Sequence, residues 1–282
     1  MRMQLRLMGI PLLAVGVLAP SGSTSFAATA TVPRPDHIVI VIDENHSEGD
    51  LIGKSAAPYI NSLAAKGANF THSFGVTHPS MPNYLALFAG STPGTTHEGC
   101  PQTWNKPNLA TALAGQGLRF VGYSEGLPKS GYTGCGSGQY TREHNPWVDF
   151  TNVPAADNQP LTAFPSDYSK LPAVSFVIPN QRDDMHTGTG TVAQGDTWLK
   201  THLGGYITWA KTHNSVFVLT FDEDDYSAKN KIPTIITGQH VIAGSYSETI
   251  NHYNVLRTIE NAYRLAPVGK TTTATPILNI WR

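Results

Sequence analysis

"HIVIVIDENHS", residues 37–47, carries an unbroken β-branched run from Ile38 to Ile42 straight into Asp43, Glu44, Asn45 and His46. A continuous apolar run, rather than alternation, fits a strand buried on both faces, as in a parallel sheet covered by helices on each side. In open α/β sheets ligands gather beyond the carboxyl ends of the strands. A buried strand that ends in Asp-Glu-Asn-His therefore marks one edge of a candidate site.

The same pattern repeats along the chain. "LRFVGYSEG", "AVSFVIPN", "SVFVLTFDEDD" and "KIPTIITG" read as strands. "APYINSLAAKGANF" reads as a helix closed by Gly67, "NLATALAGQG" as a helix with a glycine stop, and "DTWLKTHLGGYITWAKTH" and "HYNVLRTIENAYRL" as longer helices. Residues 124–170 are irregular and rich in Gly, Pro, Asn and aromatics. The expected class is α/β, with a mostly parallel central sheet, helices on both faces and long irregular loops around the site. "DENH", "PNQRDDMH" and "DEDD" each follow a buried strand, which points all three at one place.

The 282 residues, 40% hydrophobic with 26 glycines and 20 prolines, can bury a full core and support many tight connections. A formal net charge of −1 gives no footprint for nucleic acid and no polybasic membrane patch. Residues 1–30 read as a secretory signal peptide: Arg2 and Arg6, an apolar run from Leu7 to Ala19, then small residues near Ala27 to Ala30. That run is short for a membrane span, so stable membrane insertion is not expected. Residues 31–282 are then one catalytic domain, secreted to an extracellular or periplasmic space. Cys100 and Cys135, the two cysteines, lie in loop-like sequence without metal-finger spacing and are expected to form a disulfide. Oligomeric state is left open.

"GVTHPSMPNYLALFAG", residues 75–90, sets Ser80 ahead of a helix-like run. Ser80 as a helix N-cap, with Pro82 in the first turn, is one reading; Ser80 as a nucleophile at a helix N-terminus that holds an anion is the other. Glu44, Asn45, Asp222 and Glu223 are oxygen donors whose convergence would need a cation, with Ca, Mg or Mn favoured and Zn kept open by nearby histidines. "DEDD" alone also fits a solvated acidic loop. His78, His144, His186 and His252 each sit at polar loop positions, compatible with surface roles or with an anion or metal group.

As a set, "DENHS", "THPSMPNYLALFAGST", "YTREHNPWVDF", "VIPNQRDDMHTG", "GDTWL", "FVLTFDEDD" and "NHYNVLRTIE" resemble the bacterial phosphoesterase family over about residues 36–265. That family includes secreted acid phosphatases, phosphatidylinositol-3-phosphatase-like enzymes and non-specific phospholipases C, and is related in fold to the alkaline phosphatase superfamily. The resemblance implies a divalent metal site at Glu44, Asn45, Asp222 and Glu223, with Ser80 as the nucleophile touching the metal. It implies that His186 and His252 act in catalysis and that Asn83 and His144 bind substrate. Asp196 matches a further recurring polar position. Thr187 stands where an acid is common, and Asp224 where a histidine is often seen.

The expected function is a secreted, metal-dependent phosphomonoesterase acting on a phosphate monoester through a phosphoserine, as an acid phosphatase and possible phosphatidylinositol 3-phosphate hydrolase. The alternative is a phospholipase C-type phosphodiesterase. A glycoside hydrolase with paired carboxylates fits less well, because the acids cluster like metal ligands and no sugar-stacking aromatic run accompanies them. A non-enzymatic binding protein would leave Ser80 and its neighbours unexplained.

Overall fold

The computed structural model describes Met1 and residues 31–282; the signal-peptide reading falls on residues outside those described. Eight strands form the central sheet: β1 (His37–Asp43), β2 (Ala68–Phe70), β3 (Phe120–Ser124), β4 (Asn158–Pro160), β5 (Val174–Ile178), β6 (Ser215–Phe221), β7 (Thr234–Gly238) and β8 (Gly244–Tyr246). Their spatial order is β8-β2-β7-β6-β1-β5-β3-β4. From β6 to β4 all neighbours are parallel, whereas β7 runs antiparallel to both β6 and β2. The sheet is therefore mixed but mostly parallel, and one strand opposes the rest.

β1 is central, and the reason for its unbroken apolar run lies in its two faces. Ile38, Ile40 and Ile42 join one core, and Val39 and Val41 join the other. The helices that cover the sheet are α1 (Pro58–Lys66), α2 (Ser80–Ala89), α3 (Leu109–Ala114), α4 (Val192–Ala210) and α5 (His252–Ala262). α2, α3 and α5 cover the isoleucine face, through residues such as Leu85, Phe88, Leu113, Leu256 and Ile259. α1 and α4 cover the valine face, through Ile60, Leu63, Leu199, Leu203 and Ile207.

The helix ends follow local rules, with one correction to the sequence reading. α5 begins at an Asn251 cap whose side chain accepts from the Tyr253 N–H at 2.9 Å, and Asn254 returns the favour to the Asn251 N–H at 2.9 Å. Ser80 does not cap α2. The cap is Pro79, no side chain caps the helix, and Ser80 is its first helical residue. Gly67 follows α1 but has an extended backbone, φ −126°; a Cβ there would lie 2.7 Å from the Ile236 carbonyl oxygen, so close packing against β7 explains the glycine. α2 closes on Gly90 in the left-handed conformation, φ 64°. There a side chain would run into the Val268 carbonyl, and the Gly90 carbonyl accepts from the Lys270 N–H at 2.7 Å.

Cys100 and Cys135 are joined, as expected, with Cα atoms 5.6 Å apart. The Arg142 guanidinium reinforces the same junction by donating to the carbonyls of Gln102 (2.9 Å) and Thr133 (2.7 Å). It also donates to Asp149 from Nε at 2.8 Å. The irregular segment after β3 is thereby tied down just before His144.

Candidate active site

The parallel strands deliver their carboxyl ends to one edge of the sheet. β1 leads into Glu44 and Asn45, and β6 into Asp222, Glu223 and Asp224. β5 leads through a loop to Asp184 and His186. The strands are stitched beyond their last residues: the Asp222 N–H donates to the Asp43 carbonyl at 3.0 Å, and the Glu44 N–H to the Asp184 carbonyl at 2.8 Å. Asn45 turns the chain away in the left-handed region, φ 52°, which asparagine tolerates better than most residues.

Ser80 meets this edge from α2. Its hydroxyl donates to Glu44 Oε2 at 2.9 Å. Asn45 Nδ2 lies 3.4 Å from Ser80 Oγ and 3.3 Å from Glu223 Oε1, while the Asn45 N–H donates to Asp222 Oδ1 at 3.0 Å. Glu44 Oε1 accepts from the Tyr84 hydroxyl, one turn along α2, at 2.5 Å. Asn83 clamps the loop ahead of the serine: its Oδ1 accepts the N–H groups of Val76 and Thr77, and its Nδ2 lies 3.3 Å from Glu223 Oε2. The structure thus brings Glu44, Asn45, Ser80, Asp222, Glu223 and Asn83 together.

The four histidines separate into two groups. His186 lines a cleft of about 300 Å³ together with Asn45, Ser80, Glu98, Glu223 and Tyr226. His78 stands beside the same acids, its Nδ1 3.0 Å from Glu223 Oε2 and its Nε2 3.3 Å from Asp224 Oδ1. His144 and His252 are buried instead. His144 lies between Glu44 Oε1 at 3.2 Å and Asp184 Oδ2 at 3.3 Å, with its ring stacked on Tyr84. His252 bonds through Nε2 to the Asp222 carbonyl at 2.7 Å. His144 and His252 thus lie outside the cleft lining, each held against a carboxylate-bearing segment, with the His144 ring centroid 6.1 Å from that of His186. Asp196 is likewise remote, accepting the Ile60 and Tyr59 N–H groups at 2.7 and 3.1 Å to cap α1.

Charge is the dominant feature. Burial, then Asp222 and Asp184, push the Glu44 carboxyl well above the usual range. Burial likewise raises Asp222 to about 6, Asp184 to about 8 and, with Asp222 beside it, Glu223 to about 9. Asp43 is buried with neither oxygen paired, and Asp222 Oδ2 also has no partner. Such crowding is relieved by protons or by a cation. The donors suit a hard divalent cation: carboxylates, an amide and a hydroxyl, with one buried carboxylate oxygen to spare. Glu44, His144 and Asp184 also bring donor atoms within 4.8 Å of one another. In that trio His144 stands between the two carboxylates, whereas the set around Ser80 borders the cleft, so the Ser80 set is the better placed to hold a cation beside a substrate.

Asp184, Tyr84 and Tyr226 are not singled out as site residues by the sequence. Asp184 lay within the "DDMH" burst, and Tyr84 within an apolar helix run, where a hydroxyl turned toward Glu44 leaves no sequence signal.

The sequence model of the phosphoesterase family matches residues 52–266. The chain belongs to the phosphoesterase family. This phosphoesterase is 50% identical over 278 residues to the phosphatidylinositol-3-phosphatase of Mycobacterium tuberculosis, covering 95% of this chain and 92% of the relative. It is 30% identical to the phosphate-repressible acid phosphatase of Penicillium chrysogenum, over 75% of this chain and 55% of that protein. Among solved structures, a Vibrio parahaemolyticus protein in the alkaline phosphatase superfamily superposes with a TM-score of 0.59 at 14% identity, covering 88% of this chain and 72% of the other. The lipoteichoic acid synthase of Listeria monocytogenes superposes with a TM-score of 0.62 at 11% identity, over 89% and 77% of the two chains. The phosphoesterase therefore has an alkaline phosphatase-like core.

Proposed function

We propose that this phosphoesterase is a secreted, metal-dependent phosphomonoesterase that works through a phosphoserine at Ser80. One observation carries the reading: the Ser80 hydroxyl, on the first residue of α2, stands 2.9 Å from Glu44 and among Asn45 and Glu223 at a cleft beyond the strand ends. The names of its relatives, a phosphatidylinositol-3-phosphatase and acid phosphatases, support the monoester class. The disulfide and the Arg-flanked apolar N-terminus support export. Among the described residues no helix is long and apolar enough to cross a membrane.

Among the described residues the cleft lining includes Glu98, Glu223, Asp224 and Asp225 and no lysine or arginine. A phosphate dianion is repelled by such walls, which supports a need for a cation. Held by Glu44, Asn45, Asp222 and Glu223, a divalent cation would neutralise phosphoryl oxygens and favour the ionised form of Ser80. Ser80 Oγ forms the bond to phosphorus while the ester P–O bond breaks. Glu44 Oε2 is the hydrogen-bond acceptor of the serine proton, and the N-terminal end of α2 offers its positive pole to the phosphoryl group. His186, half-buried in the cleft wall, is assigned the proton that the leaving oxygen requires. Water then cleaves the phosphoserine, returning Ser80 and releasing phosphate.

The expected result is that Ser80→Ala lowers kcat/KM for p-nitrophenyl phosphate by about 10³-fold or more, as when a covalent nucleophile is lost. Rapid quenching of the wild-type reaction should leave labelled phosphate on Ser80. Near-wild-type turnover in the alanine variant would overturn the mechanism.

A further inference from the structure

Tyr226 is a large aromatic side chain left 71% exposed, and it lines the same cleft as Ser80. One face of its ring is occupied: it stacks on His78 with centroids 3.9 Å apart and planes 19° from parallel. Its backbone is in the left-handed region, φ 66°, followed by Lys229 at 58° and Asn230 at 62°. A bulky residue rarely adopts that conformation without something to hold it there.

The holding group is Asp224. Its Oδ1 accepts from the Tyr226 N–H at 2.9 Å, and its Oδ2 accepts from Ala228 and Asn230 at 2.7 and 2.9 Å. Asn230 in turn bonds to the Thr77 carbonyl at 2.8 Å, fastening the turn to the loop that leads to Ser80. Burial does not account for the ring's place: His78 covers one face and most of the residue faces solvent. The turn presents an aromatic surface beside the nucleophile and spends backbone strain to do so.

We propose that Tyr226 is a specificity-determining platform on which a ring in the leaving group rests, so that the favoured substrates are phosphate monoesters of ring-bearing alcohols. This rests on the monoesterase reading above. Phosphorus must approach Ser80 at the cleft floor, which leaves the ester arm to run outward along the wall that Tyr226 forms. With Glu98 and Asp225 on the same lining, an anionic arm is disfavoured there, and an uncharged flat or cyclic face suits the tyrosine.

Benzylphosphonate and ethylphosphonate share a headgroup, cannot be hydrolysed, and differ in the ring. Calorimetry on the metal-loaded protein should find benzylphosphonate bound about three- to tenfold more tightly, the scale of one aromatic stack. Tyr226→Ala should bring that ratio close to one, and Tyr226→Phe and Tyr226→Trp should keep it, since stacking needs the ring and not the hydroxyl. The kcat/KM ratio of benzyl to ethyl phosphate should follow the same order across the four proteins. An unchanged ratio in Tyr226→Ala, or a loss as complete in the phenylalanine and tryptophan variants, overturns the platform. A wild-type protein that cleaves neither ester removes the monoesterase reading instead, and the phosphonate ratios still judge Tyr226.

Discussion

Glu44 spends its carboxylate oxygens on Ser80 and Tyr84 and stands against His144, so one side chain links nucleophile, helix and the brace behind them. Glu44→Gln and Asp222→Asn should each lose bound cation and turnover together. The loss should exceed the 10–100-fold typical of residues that only support ligands. Elemental analysis beside kcat/KM checks this; full activity in exhaustively chelated protein would count against the cation. His252 gives a separate test. Burial pushes it down to about 4, whereas an unfolded histidine titrates near 6.5. The unfolded chain therefore takes up the proton first, and stability present above pH 6.5 is lost as pH falls toward 4, by up to about 3 kcal/mol. Thermal unfolding from pH 8 to 4 should show a smaller acid-side decline for His252→Gln than for wild type. The residue types at the strand ends were legible because charge placed directly after a buried strand has few uses. The directions of His144 and His252 were not, since a histidine's neighbours are set by helices and loops far away in sequence.

Among the elements, the long buried strands and longer helices were readable because their apolar periods are strong. β2, β4 and β8 have three residues each and no period to detect, and the antiparallel course of β7 depends on its connection rather than its composition. Capping by Ser80 was a sound local inference that tertiary contact displaced: the hydroxyl is turned to Glu44 instead. The disulfide between Cys100 and Cys135 closes a loop of 35 residues, worth about 3–4 kcal/mol in the chain-entropy account. Replacing both cysteines with serine should lower the melting temperature by roughly 6–16 °C for a domain of this size. Because Arg142 binds Gln102 and Thr133, the neighbours of the two cysteines, the variant should keep most of its kcat at low temperature. A collapse in kcat with no change in melting temperature would contradict this division of labour.

For the whole molecule, the arrangement at the sheet edge favours one kind of ester. The phosphoryl oxygens of a monoester would face the α2 N-terminus, the acidic ligand set and His186. A diester must put a second organic arm in place of one of those contacts. The expected preference is at least about 100-fold in kcat/KM, near 2.7 kcal/mol, for p-nitrophenyl phosphate over its bis-ester. Phosphocholine release from phosphatidylcholine at a comparable rate would favour the phospholipase alternative.

The pairing of β1 with β6 joins His37 to Ser215 and Asp43 to Phe221, across most of the chain. Glu44 and Ser80 are both synthesised early, yet Asp222 and Glu223 reach them only when β6 has inserted beside β1. Non-local pairings of this kind close late and slowly during folding. On the proposed mechanism, a chain whose β6 has not yet inserted carries Ser80 and Glu44 without Asp222 and Glu223, and is expected to be inactive. Hydrolysis regained on refolding is then expected to follow the β1–β6 pairing, so that activity reports a late step of assembly rather than an early one.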